Sequence, residues 1–219
     1  MITENVDIYG DITSGNMFIH MISANNRDSI KDEAELLKEM CGSTDWCIAA
    51  VAVSDWDRDL TPWEAEPVFG GRSFGDGAEK TLEKLLGTVI PAIENEHPAK
   101  DRKYYLCGYS LAGLFSLWAS YETDMFSGVV AASPSVWYPN WLSYAERREI
   151  KVSRVYLSLG AREEKAKNPI LASVGDSIRE QYRILKGAGV RCTLEWNAGN
   201  HFVDGGLRMA KGLSWMLKS

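Results

Sequence analysis

Two rhythms of hydrophobic and polar positions run along the chain. Short apolar runs rich in β-branched and aromatic residues recur at Asn16–Ile22, Cys47–Ser54, Lys103–Gly108, Gly128–Ala132, Arg154–Leu159 and Val190–Trp196. Several are apolar almost throughout, which is the pattern of strands buried on both faces of a parallel sheet. Between them the period lengthens to that of a helix. Asp28–Met40 sets Ile30, Ala34, Leu37 and Met40 on one face, and Asp76–Glu96 does so with Leu82, Leu85, Leu86, Val89 and Ile93. Pro91 should bend or reset the second of these. Leu111–Ser120 is apolar nearly all round and reads as a buried helix; Ser177–Lys186 and Gly205–Lys218 complete the set. Strands alternating with helices predict βαβ units with right-handed crossovers. The expected fold is therefore α/β, one domain over residues 1–219 built on a doubly wound, mostly parallel sheet.

Composition fits this reading. The chain has 219 residues, 45 % hydrophobic and 25 % charged, which suits one domain with a sizeable core. A net charge of −6 argues against a nucleic-acid or anionic-membrane binder, which would carry a basic face. No apolar run approaches the ~20 residues that span a bilayer, and Met1–Asp7 has no basic or apolar segment of a signal peptide. Cys41, Cys47, Cys107 and Cys192 form no CxxC pair and no zinc-ligand spacing, so a reduced, cytoplasmic setting is expected.

Two stretches break the alternation. Asp55–Gly77 is rich in Gly, Pro, Asp and aromatic residues and Ser133–Tyr144 in Pro and aromatic residues, and both follow predicted strands. Loops leaving the carboxyl ends of strands form the ligand crevice of an open α/β sheet, and loops this long usually carry function.

The sharpest chemical signal is Gly108-Tyr109-Ser110-Leu111-Ala112-Gly113, between a strand and an apolar helix. A nucleophilic Ser on such an elbow needs small residues two positions either side, where strand and helix crowd together. Gly108 and Ala112 meet that need. The turn also leaves the Leu111 amide at the helix N-terminus, able to donate to an oxyanion.

The chain has three histidines. His20 lies within a strand run and reads as a packed strand residue; His97 ends a helix beside Pro98. His201 follows the last strand and precedes the last helix, where the α/β-hydrolase order Ser, acid, His sets the base. The acid should follow the run Arg154–Leu159, and Glu163 or Glu164 fills that position. A second oxyanion donor should come from the loop after Asn16–Ile22. That loop reads Ser23-Ala-Asn-Asn-Arg, with no His-Gly motif, so the amides of Ala24 and Asn25 are the candidates.

With these residues assembled, the chain resembles the esterase family of the α/β-hydrolases, the esterase D and enterochelin-esterase-like serine hydrolases. GYSLAGLFSLWAS at 108–120, FSGVVAASPSVWY at 126–138, LSLGAREEK at 157–165 and AGNHF at 198–202 carry the resemblance. The segment Asp57–Trp63 is similar to a loop in relatives of the siderophore esterases. The resemblance implies a Ser-acid-His hydrolase with Ser110, Glu163 (or Glu164) and His201 at matching positions. The missing His-Gly motif departs from the family. So does the absence of recognisable N-terminal antiparallel strands, which implies a trimmed sheet of about six strands.

The expected reaction is hydrolysis of a small-molecule carboxylic ester through an acyl-enzyme, with no metal or organic cofactor. An acyltransferase on the same triad and an inactive, ligand-binding relative are the alternatives. The oligomeric state is open. Trp56, Trp63, Trp137 and Trp141, with Phe69, Phe74 and Tyr138, crowd the two long loops. They either wall a cleft for a bulky or aryl ester or pack the loops onto the domain. Arg58 and Arg72 are candidates to meet an anionic group on the substrate.

Overall fold

Alternate residues of each predicted strand should face opposite layers of helix, and the computed structural model, which describes residues 5–68 and 70–218, has that arrangement. Seven strands form one sheet: β1 Val6–Gly10, β2 Asn16–Ser23, β3 Cys47–Val53, β4 Lys103–Tyr109, β5 Gly128–Ala132, β6 Arg154–Gly160 and β7 Arg191–Asn197. Their order is β1-β3-β2-β4-β5-β6-β7, parallel throughout except for β1, which runs antiparallel beside β3. Six of the strands coincide with the predicted runs. The expectation of about six is corrected by β1, an edge strand whose residues are only partly buried and so make no apolar run.

The helices are α1 Arg27–Cys41, α2 Trp56–Asp59, α3 Ala78–Lys84, α4 Ile90–Glu96, α5 Leu111–Glu122, α6 Trp141–Glu146, α7 Pro169–Ala172, α8 Val174–Gly187 and α9 Gly205–Leu217. Met17, Ile19, Leu106 and Leu157 face one core with Leu114 of α5 and Ile178 of α8. Phe18, Ile48, Tyr105 and Val130 face the other, against Ile30 and Leu37 of α1 and Met209 and Leu213 of α9. Each large side chain fully withdrawn from water contributes about 1.5–3 kcal/mol. Gly212 lets α9 press onto the sheet, because a Cβ there would lie 2.4 Å from Val130 Cγ1.

The segment Asp76–Glu96 does not break at Pro91. Leu85–Val89 widens into a π-turn between α3 and α4, just ahead of the proline. Pro91 supplies no amide, and its ring would crowd the carbonyl four residues back in a regular helix. The wider turn accommodates both.

Candidate active site

All the loops that matter leave the carboxyl ends of neighbouring strands. Between β4 and α5, Ser110 has φ 59° and ψ −122°, a region that costs a non-glycine residue about 1–3 kcal/mol. The surroundings hold it there. Its amide donates to Ala132 O at 3.1 Å, and its carbonyl accepts from Leu114 N at 3.0 Å and Ser135 N at 3.1 Å. Gly108 permits the turn, since a Cβ there would lie 2.5 Å from the Ala112 backbone. Leu111 opens α5, so its amide has no intrahelical acceptor.

Three side chains from three loops meet here. His201 Nε2 lies 3.1 Å from Ser110 Oγ, and His201 Nδ1 lies 2.7 Å from Glu163 Oε2. Glu163 opens a tight 3-10 turn directly after β6, which turns it inward and leaves it buried. Glu164, next along the turn, faces out and pairs with Arg179 at 2.7 Å. Of the two acids the sequence offered, only Glu163 reaches the imidazole.

The other carboxylate oxygen is fully engaged. Glu163 Oε1 accepts from Gly160 N at 2.7 Å, Ser133 Oγ at 2.7 Å and Arg208 Nη1 at 2.8 Å. Burial pushes this carboxyl up, but the His201 hydrogen bond and charge, with those from Ser133 and Gly160, outweigh it and hold it below its ordinary value.

Arg208, from the first turn of α9, was missed by the sequence reading. Its guanidinium is wholly buried and also donates to Ala198 O at 3.0 Å, Asn200 O at 2.8 Å and Tyr109 Oη at 3.0 Å. Tyr109 in turn donates to His201 O at 2.8 Å. One cation thus ties the acid to the loop that carries His201. The only sequence hint is Gly212, one helical turn on, which marks the face of α9 pressed against the sheet.

Ser110 and His201 stand between two cavities. The larger, about 690 Å³, is walled by Trp56, Phe74, Trp137 and Leu171, with Arg162 and Lys165 also lining it. The smaller, about 550 Å³, lies toward β2, α1 and α9 and shares Trp56. Trp56 and Trp137 therefore line the cleft as expected.

The other proposed binding residues do not. Tyr138 is buried, and its hydroxyl donates to Trp63 O at 2.6 Å. Trp63 donates from Nε1 to Pro139 O at 2.9 Å and borders a separate groove. Trp141 is buried against Gln181. These three rings pack the loops, so both readings of the aromatic residues hold, for different rings. Arg58 pairs with Asp59 at 2.9 Å on another face, and Arg72 is exposed beside Asp55. Phe69 lies outside the described residues.

The β2 loop also differs from expectation. Ala24 and Asn25 form an exposed 3-10 turn, and the Asn25 amide is turned to Ser23 Oγ at 3.4 Å. Ser23, not Ala24 or Asn25, borders the smaller cavity. A self-capping turn fills the position where the His-Gly motif was sought.

Comparison with known proteins agrees with this architecture. The model of the family described as "Putative esterase" matches residues 48–193, well over half of the chain. No curated protein matches. Among solved structures, siderophore hydrolase EstA from Aspergillus nidulans is 20 % identical with a TM-score of 0.77, the match covering 97 % of this chain and 89 % of that one. The enterobactin hydrolase IroE in complex with DFP is 20 % identical with a TM-score of 0.68, covering 96 % and 86 %. The BES protein from Bacillus cereus is 16 % identical with a TM-score of 0.68, covering 99 % and 97 %. At such identities the likeness carries the fold.

Proposed function

The chain belongs to this esterase family and is a carboxylic ester hydrolase; on that premise we propose that Ser110, His201 and Glu163 are its catalytic triad and that it works through an acyl-enzyme. The observation that carries the reading is the unbroken path from Glu163 Oε2 through His201 to Ser110 Oγ, at 2.7 and 3.1 Å, on a strained elbow. In this reading His201 takes the Ser110 proton as Oγ attacks the ester carbonyl. It returns that proton to the departing alcohol. Water then repeats the sequence on the acyl-enzyme and frees the acid. Glu163 holds the imidazole in the Nδ1–H tautomer and stabilises the imidazolium. The Leu111 amide serves the oxyanion; one such donor is worth about 3–4 kcal/mol in the transition state. The aromatic wall of Trp56, Phe74 and Trp137 favours a bulky or aryl ester, and the similarity to proteins named siderophore hydrolase and enterobactin hydrolase points the same way.

Ser110→Ala tests the reading, since Ala is smaller and leaves the packing intact. Hydrolysis of p-nitrophenyl acetate should fall by on the order of 10⁵–10⁶ in kcat, as in other triads acting as a unit. Labelling by a fluorophosphonate should vanish. Activity within threefold of the unaltered enzyme would remove Ser110 from the nucleophile's role.

A further inference from the structure

The smaller cavity contains a polar pair that the triad does not use. His20, on β2 between Met21 and Ile19, and Glu33, on α1, are 3 % and 2 % exposed, and both line it. His20 Nδ1 and Glu33 Oε1 lie 3.2 Å apart, yet the pair is not aligned as a hydrogen bond, and neither atom has a hydrogen-bond partner. Their neighbours on the same side of the sheet are Phe18, Ile22, Ile30 and Met209. An unsatisfied carboxyl oxygen in such a setting is costly, and apolar side chains of similar volume would pack there without the penalty. The cavity is also kept open. Gly205 and Gly206 begin α9 beside Tyr109 and Glu33 and add no side chain to it. None of the described residues lining the cavity is Lys or Arg, whereas the larger cavity has Arg162 and Lys165.

We propose that the smaller cavity is a second substrate subsite, in which Glu33, beside His20, accepts a hydrogen bond from an ammonium or hydroxyl group on one arm of the ester. The other arm then lies along Trp56, Phe74 and Trp137. Ser110 lines both cavities, so an ester bound across the pair presents its carbonyl to Oγ. The proposal rests on Ser110 being the nucleophile. It assigns the substrate class as an ester with one bulky apolar arm and one arm ending in an N–H or O–H donor.

The test is a pair of matched ester sets. One varies the end of a four-carbon alcohol arm on a benzoate, the other the end of a four-carbon acyl arm on a phenyl ester. Each set ends in ammonium, hydroxyl, methyl or carboxylate. In one set kcat/KM for the ammonium or the hydroxyl ester should exceed that of the methyl ester by about ten- to hundredfold, the worth of a hydrogen bond to a charged group. Glu33→Gln should erase an ammonium preference but leave part of a hydroxyl preference, because an amide oxygen still accepts from a hydroxyl. This separates the two donors. If the variant does not fold, inhibition of the unaltered enzyme decides: butylammonium or butanol should compete with phenyl acetate better than butyrate does. Equal or better rates for methyl or carboxylate arms in both sets would overturn the subsite, as would a preference untouched by Glu33→Gln. Fluorophosphonate labelling of Ser110 reads the triad independently. A labelled enzyme without donor selectivity sinks only the subsite, whereas an unlabelled, folded enzyme sinks the nucleophile assignment.

Discussion

Glu163→Gln tests the site at its most constrained atom. Three donors converge on Oε1, from Gly160 N, Ser133 Oγ and Arg208 Nη1. In the variant the amide oxygen must stay with those donors, since an NH₂ there would face three N–H or O–H groups. The NH₂ is then forced toward His201 Nδ1, 2.7 Å away in the unaltered enzyme. It can only donate, so Nδ1 becomes the acceptor and the ring proton moves to Nε2. That nitrogen faces Ser110 Oγ and can no longer take its proton. The variant also removes the negative charge under the developing imidazolium. The corresponding exchange in the protease template lowers kcat by about 10⁴, and a fall of about 10³–10⁴ is expected here. The assay is kcat on p-nitrophenyl acetate, with urea denaturation to check folding. Glu164→Gln is the control: it loses a half-exposed bridge to Arg179, worth at most about 1 kcal/mol, and should leave kcat near normal. A Glu163→Gln enzyme within tenfold of the unaltered rate would refute the tautomer argument, and the opposite ranking would transfer the role to Glu164.

Arg208→Met should destabilise the protein by about 3–5 kcal/mol, because it strips a buried carboxylate of its cation, and the freed His201 loop should cost about a hundredfold in kcat; unchanged urea midpoint and rate would show that the guanidinium anchors neither. The Glu163 carboxyl titrates below its ordinary value in the folded chain, so on acidification the unfolded chain binds the proton first. Its contribution to stability is therefore complete above about pH 5 and fades as pH falls through the usual carboxylate range near 4.3 toward the lower folded value. The stability gap between the unaltered enzyme and Glu163→Gln, measured in urea, should narrow through that window; a gap that widens would contradict the sign. Gly108→Val should abolish soluble folded enzyme or cost several kcal/mol, because even its first carbon would lie 2.5 Å from the Ala112 backbone; a normal thermal midpoint would show that the elbow yields more easily than its contacts imply.

How much of this was legible in the sequence follows from how local each signal is. Strands β2 to β6 are buried almost throughout, so their apolar runs stood out; the two edge strands are only partly buried, and of these β7 was read from its place before the last helix whereas β1 shows no apolar run. Ser110 and His201 were readable because elbow and loop positions follow from strand order. Choosing between Glu163 and Glu164 depended on a 3-10 turn that no residue pattern announced. Arg208 was invisible because an Arg in an amphipathic helix ordinarily faces water, and its burial depends on a carboxylate 45 residues away in the chain. His20 read as strand packing, and in position it is. What periodicity could not convey is that α1 sets Glu33 beside it at the edge of a cavity. Among the aromatic residues, composition located the loops but could not sort the rings that wall the cleft from those that hold its frame.

The anchoring of the site by α9 has a consequence for the chain while it is being made. Ser110 emerges from the ribosome 91 residues before His201, and the guanidinium that ties the acid to the base's loop comes later still. Until residues through α9 have been synthesised and have docked on the sheet, the elbow bears an ordinary alcohol with no base beside it. On the proposed triad, unfinished chains are therefore expected to be inert toward esters. Turnover, rather than secondary structure, becomes the strict reporter of completed folding, because it requires side chains 91 residues apart in the chain to meet.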